Sequence, residues 1–203
     1  MTHGPTGRID FNADIGESFA GYELGHDSEI VKYITSANIA TGFHAGDPDW
    51  MARTVSLAVE NGVGIGAHPA YPDLAGFGRR NMDLTPDEVR NAITYQIGAL
   101  AAFAPDRKLQ HVKPHGALYN TAVRDAGIAE AVVSAIRVFD PDLIHVVLAG
   151  SQWESIAREQ GVRVARECYA DRAVTPEGTL VPRSQPGAVI HEPEAVLDRS
   201  LKL

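Results

Sequence analysis

Several short β-like runs in this chain alternate strictly between apolar residues and residues that carry chemistry, and this constrains the fold more than any other feature. Between Arg8 and Ile15, Ile9, Phe11, Ala13 and Ile15 form one set, with Asp10, Asn12 and Asp14 on the other side. Around Ala37 to His44, Ile39 and Phe43 oppose Asn38, Gly42 and His44. From Val63 to His68, Val63, Ile65 and Ala67 oppose Gly64, Gly66 and His68. Near Gln110 to His115, Val112 and Pro114 oppose His111, Lys113 and His115. Ile144 to Ala149 is apolar on both faces except at His145, and between Val162 and Tyr169 the pair Val162 and Val164 opposes Arg163, Ala165 and Glu167. An open doubly wound sheet is covered by helices on both faces, so its central strands read as continuous apolar runs. A closed or nearly closed β/α barrel fits these strands better, with its apolar face on outer helices and its polar face inside. Such barrels keep their chemistry at the C-terminal strand ends, so Asp14, His44, His68, Lys113, His115 and Glu167 are expected to converge.

The intervening segments carry helix signals. Asp47-Pro48 sets a capping carboxylate before a proline at the first helical position, followed by the stripe Met51, Val55, Ala58 and Val59 and a stop at Gly62. Thr85 and Glu88 form a capping box ahead of Val89, Ala92, Ile93, Ile97 and Leu100. Ile128, Val132, Ala135, Ile136 and Phe139 make another stripe. Ser151 with Glu154 is a second capping box, with Gly161 closing that helix, and a last helix near Pro193 carries Val196, Leu197 and Leu201.

Length and charge then bound the function. The 203 residues suit a single domain spanning 1–203, long enough to bury a core without disulfides or metal. A formal net charge of −8 argues against nucleic acid or an anionic membrane as partner, and no apolar stretch reaches the ~18–20 residues of a spanning helix. The single cysteine, Cys168, falls on the apolar side and reads as core. One cysteine and an N-terminus without an apolar signal segment suit the cytoplasm.

The strand-end motifs supply the candidate chemistry. In N-A-D-I-G-E, Asp14 and Glu17 can bind a metal, act as acid and base, or cap the next helix. In G-F-H-A-G-D, His44 lies between glycines that permit close ligand approach, whereas Asp47 is accounted for as a cap. In G-A-H-P-A-Y-P-D, His68 precedes a rigid proline exit, against the alternative of a buried imidazole satisfied by a carbonyl. Arg79 and Arg80 either clamp a carboxylate or phosphate or form a solvated surface pair. In H-V-K-P-H-G, Lys113 can stabilise an oxyanion or hold phosphate, His115 can act as acid or base, and Glu167 is the candidate ion-pair partner of Lys113. Glu167, Asp171 and Arg172 sit at the last strand end. There is no Walker A sequence, nucleophile elbow or paired-cysteine zinc motif. Histidines and carboxylates on a barrel indicate a hydrolase or lyase, with or without metal.

Five motifs together carry a more specific likeness. F-N-A-D-I-G-E, I-A-T-G-F-H-A-G-D-P, G-A-H-P-A-Y-P-D-L-x-G-F-G-R-R, V-K-P-H-G-A-L-Y-N and A-D-R-A-V-T-P-E-G-T-L-V-P-R-S-Q-P-G-A-V-I resemble the LamB/YcsF family, in order from Ile9 to the last residues. The resemblance implies a seven-stranded β/α barrel of the glycoside hydrolase/deacetylase type. It also implies ATP-dependent opening of 5-oxoproline to glutamate, with ATP as co-substrate and 5-oxoprolinase subunits B and C as partners. On that reaction Asp14, His44, His68, Lys113 and His115 are the catalytic candidates. Asn12, Arg79, Arg80, Glu167 and Asp171 are the substrate- and phosphate-binding candidates. Two alternatives stand beside it. One is a stand-alone deacetylase or amidohydrolase using a divalent metal on Asp14, His44 and His68. The other is a non-catalytic subunit that binds and delivers the ligand. Family members run on through a further strand with a motif like S-I-C-V-H-G-D, so the barrel here is expected to lack its last strand. Its exposed edges would then favour a homo-oligomer.

Overall fold

The computed structural model describes residues 9–175 and 178–202. Its strands are β1 (Asn12–Ile15), β2 (Ser36–Ala40), β3 (Gly64–His68), β4 (His111–Val112), β5 (Ile144–Leu148) and β6 (Arg163–Glu167), all parallel and paired in chain order. The helices are α1 (Asp27–Ile30), α2 (Pro48–Glu60), α3 (Pro86–Ala101), α4 (Gly116–Arg124), α5 (Ala126–Phe139), α6 (Gln152–Glu159) and α7 (Pro193–Ser200). The alternation in sequence becomes a register in space, where Asp14, Asn38, Gly66, His111, Ile144 and Arg163 stand side by side across the sheet. The other parity, Ile15, Ile39, Ile65, Ala67, Val112 and Val147, joins Val55, Ile93, Ile97, Val132 and Ile136 of the helices in one apolar core.

The sheet is strongly curled. In a flat sheet β1 and β4 would lie about 14 Å apart, three spacings of ~4.8 Å, beyond the reach of one side chain. Yet Lys113, just after β4, bonds to Asp14 of β1 at 3.2 Å and to Glu167 of β6 at 2.6 Å. Six parallel strands thus wrap around their polar face as a barrel that lacks a strand, with β1 and β6 unpaired to each other among the described residues.

Helix starts follow the local chemistry. The Asp47 carboxylate accepts the N–H groups of Asp49 and Trp50, both at 2.9 Å, and Thr85 and Glu88 form the reciprocal box. At α6 only half of the expected box exists: Ser151 accepts the Glu154 N–H at 3.1 Å, but the Glu154 carboxylate takes the Gly150 N–H at 2.7 Å. Arg158 and Arg166 hold that carboxylate in its place.

Three sequence expectations are corrected. The first strand begins at Asn12, and Ile9 and Phe11 are 83% and 60% exposed, because an edge strand gives its first side chains a neighbour on one side only. The second strand stops at Ala40, since Gly42 has φ +96° and its N–H turns back to the Ala45 carbonyl. Phe43 and His44 therefore belong to a loop. Cys168 is exposed rather than core, because it follows the last paired residue of β6, itself an edge strand. The expected N-terminal features at residues 1–8 lie outside the described residues. Among the described residues no helix is long and apolar enough to cross a membrane.

Gly66 is where the curl and the site meet. The His111 ring crosses over it to bond the Asn38 carbonyl oxygen at 2.8 Å, and a methyl group at Gly66 would run into that ring. Gly66→Ala is expected to cost about 1–3 kcal/mol through displacement of His111, an overpacking penalty readable by urea denaturation. A change below a few tenths would show that His111 is free to move.

Acid sensitivity is also built in. Burial holds both His111 and His145 down to about 4, with the Arg137 charge adding to the effect at His145. Each remains neutral in the folded chain while the unfolded chain binds a proton below about 6.5. Stability is therefore full above that value and falls as pH drops from about 6.5 to 4, by on the order of 3 kcal/mol per group. His145→Leu is expected to flatten that fall, measured as urea midpoints at pH 7 and pH 5.

Candidate active site

Three inward side chains form an ion-paired triad that spans the barrel. The Lys113 ammonium, buried at 4% exposure, donates to Asn12 Oδ1 at 3.1 Å, Asp14 Oδ1 at 3.2 Å and Glu167 Oε1 at 2.6 Å. All three of its N–H bonds are thereby used, so it has none free for an oxyanion or phosphate. Burial opposes its charge, but the Asp14 and Glu167 carboxylates outweigh that and hold its pKa well above the usual lysine value. Glu167 is saturated in turn, its Oε2 accepting from Tyr119 at 2.9 Å and Tyr169 at 2.8 Å. Asp14 alone keeps a free edge. Its Oδ1 also accepts from Asn38 at 2.9 Å, while Oδ2 lies 3.4 Å from His68 Nε2 and its side chain is 36% exposed. Burial would raise the Asp14 pKa, but the His68 and Lys113 charges outweigh it and keep the group well below the usual carboxylate range. Asp14 is thus an ionised carboxylate with one oxygen available.

Beside the triad lies a cluster of imidazoles. His68 Nδ1–H donates to the Lys113 carbonyl at 2.6 Å, which turns Nε2 toward His115 Nδ1, 2.9 Å away. His115 Nε2–H donates to the Phe77 carbonyl at 2.9 Å. The His44 ring stacks on His115 with centroids 3.9 Å apart, and its Nε2 lies 3.0 Å from Glu17 Oε1. Burial lowers His44, and burial with the neighbouring His68 and His44 charges lowers His115 to about 3. His68 is raised despite its burial, because the Asp14 carboxylate lies against it. The close packing depends on Gly78, at φ +64°, where a Cβ would come within 2.8 Å of His44 and 2.9 Å of His115.

The cavity above these groups has a volume of about 450 Å³. Asp14, His68, Lys113 and His115 line one part of it, and Arg79, Arg124, Arg172 and Arg183 another. Arg79 is placed by the Phe77 ring, 5.0 Å from its guanidinium carbon. Arg172 donates to the carbonyls of Ala188 at 3.2 Å and Val181 at 2.7 Å, fastening the wall segment that carries Arg183.

The sequence candidates divide accordingly. Asp14, His68, Lys113, His115 and Arg79 reach the cavity, while His44 stands behind His115, fully buried. Arg80 is not at the cavity wall and pairs with Asp73. Asn12 and Glu167 act through Lys113. Asp171 is not part of the wall; its carbonyl accepts the Ile190 N–H at 2.7 Å, and the next residue, Arg172, takes the cavity position. Of the expected metal trio, His44 and His68 fall in a tight group of four possible ligands. Glu17, His44, His68 and His115 each bring a ligand atom within 4.8 Å of one another, and Asp14 lies to one side. Glu17 enters because Gly16, at φ +69°, turns the chain after Asp14, and the signal for it was the N-A-D-I-G-E motif itself.

A curled parallel sheet with acids, imidazoles and cations gathered at its C-terminal strand ends defines a β/α barrel with its site on that face. Comparison with known proteins makes the assignment narrower. The model of the LamB/YcsF family matches residues 9–203. Proteins named as the A subunit of 5-oxoprolinase, from Thermococcus onnurineus and Pyrococcus furiosus, are 58% and 59% identical over 198 residues, 97% of this chain and 78% of each relative. A crystal structure described as the lactam utilization protein from Thermus thermophilus superimposes with a TM-score of 0.90 at 48% identity, covering 96% of this chain and 80% of that one. The chain belongs to the LamB/YcsF family.

Proposed function

We propose that this chain is the A subunit of an ATP-dependent 5-oxoprolinase and that its cavity holds the lactam while water opens it. The observation that carries the proposal is the pairing of four cavity arginines with one free, ionised carboxylate, Asp14, in a chain of net charge −8. The names of the relatives support the same reading.

5-Oxoproline carries a carboxylate and an unreactive lactam. Transfer of the terminal phosphoryl group of ATP to the lactam oxygen gives an imidate whose ring carbon is a good electrophile. That species bears the carboxylate and a phosphate, and guanidinium groups bind both bidentately. Water then adds to the ring carbon, with Asp14 Oδ2 as the nearby proton acceptor. The added oxygen becomes the acyl carbonyl and the carbon–nitrogen bond breaks as the ring nitrogen, bare of hydrogen in the imidate, takes that proton and the hydroxyl proton and leaves as the amine. A second water cleaves the resulting acyl phosphate to glutamate and inorganic phosphate. Lys113 does not touch the substrate; it orients Asp14 and keeps it ionised.

The phosphoryl donor step is assigned to the complex with subunits B and C. Reconstitution with those subunits tests the reading: ADP and glutamate are expected to appear one to one, and only when all three are present. Lactam or amide hydrolysis by this chain alone, without ATP, would instead favour a stand-alone amidohydrolase. Ligand binding with no turnover in any mixture would mark a delivery protein.

A further inference from the structure

We infer that Glu17, His44, His68 and His115 form a binding site for a first-row divalent cation, with Zn²⁺ as the reference occupant. This holds whichever substrate the cavity takes.

The first support is the fixed orientation of two imidazole rings. A carbonyl only accepts, so the bonds from His68 Nδ1 to the Lys113 carbonyl and from His115 Nε2 to the Phe77 carbonyl put the ring protons on those nitrogens. His68 Nε2 and His115 Nδ1 then face each other at 2.9 Å, converging on one point. A backbone carbonyl behind each imidazole is also the arrangement that fixes the tautomer of metal-bound histidines.

The second support is the carboxylate. Among the described residues, the bonded partners of Glu17 Oε1 are imidazole nitrogens, His44 Nε2 at 3.0 Å and His115 Nδ1 at 3.4 Å. A divalent cation would give this mostly buried carboxylate a counter-charge in direct contact, where Arg79 acts only from a distance.

The third support is spacing. Metal–ligand bonds of ~2.0–2.1 Å in a tetrahedron give ligand–ligand edges of roughly 3.3–3.4 Å. The closest contacts here are 2.9, 3.0 and 3.4 Å, and all four donor atoms lie within 4.8 Å of one another. Three imidazole nitrogens and one carboxylate oxygen suit zinc, iron, nickel or copper better than magnesium, calcium or manganese, which prefer oxygen. His44 completes the set, although its Nδ1 has no partner in the interior. A second proton on His68, beside the Asp14 carboxylate, is the competing link between His68 Nε2 and His115 Nδ1, and it needs no metal.

The test uses the full chain stripped with a chelator and then supplied with Zn²⁺ or Co²⁺ alone. One equivalent is expected to be retained after gel filtration, with a visible cobalt absorption band and a raised melting temperature. Glu17→Gln and His68→Ala are each expected to weaken retention by at least ~10–100-fold, the loss found when even an outer-shell partner is removed. His191→Ala, at an exposed position, should leave it unchanged. Metal content near zero in the wild-type chain would overturn the inference, and this result does not depend on how the variants fold. Equal retention by folded wild-type and Glu17→Gln chains would also overturn it. All these readouts are independent of turnover, so failure of the proposed lactam chemistry would leave them unaffected.

Discussion

Replacing Lys113 by methionine is expected to destabilise the chain by about 3–5 kcal/mol, because two acidic groups lose the cation they share. Asp14 and Glu167 come from opposite edges of the curled sheet, and Lys113 bonds to both from the middle. Methionine fills similar space but carries no charge and no donor. The two tyrosines still donate to Glu167 and Asn38 still donates to Asp14, so the chain should fold, but with its barrel mouth strained by facing anions. The melting temperature should fall by on the order of 10 °C. Adding Glu167→Gln to Lys113→Met removes one of the stranded charges and should recover part of the loss, a coupling measured by a double-mutant cycle. A loss below about 1 kcal/mol would show that the triad is solvated rather than structural.

Asp14→Asn is expected to have the largest effect on activity. Asparagine keeps the shape of the side chain and an oxygen to accept from Lys113, and Glu167 still pairs with that lysine, so the chain should fold at a smaller cost than Lys113→Met. It removes the ionised oxygen that faces the cavity, and the rate of glutamate formation in the complete complex should fall by about 10²–10⁴-fold. Arg80→Ala is the matching control. That arginine is tied to Asp73 away from the cavity wall, so its loss should leave turnover close to wild type. Near-normal turnover by Asp14→Asn would move the proton acceptor elsewhere.

Much of this was legible in the sequence because period-two alternation and barrel geometry have the same physical origin. Asp14, Asn38, Gly66 and His111 share one row of the register because the side chains of parallel strands repeat every second residue. Asp47 and Thr85 were readable as caps because capping depends on neighbours in sequence. Contacts made at a distance were not readable. Alternation placed Lys113 inside the barrel, yet the use of all three of its donors depends on the curl that brings β1 and β6 to it. Glu17 joins Asp14 at the imidazole cluster because a positive φ at Gly16 redirects the chain, and period-two alternation does not extend through such a turn. The choice between Arg79 and Arg80 depended on the position of Asp73, and that between Asp171 and Arg172 on how the chain leaves β6. Cys168 was misread because periodicity assigns a side without showing whether anything covers it.

The most direct measurement is a structure of the assembled complex with 5-oxoproline bound. The expected result is the substrate carboxylate among Arg79, Arg172 and Arg183, with the lactam carbon beside Asp14 at the C-terminal ends of the strands. Substrate bound away from this cavity, with Asp14 and the arginines facing only solvent, would contradict the assignment.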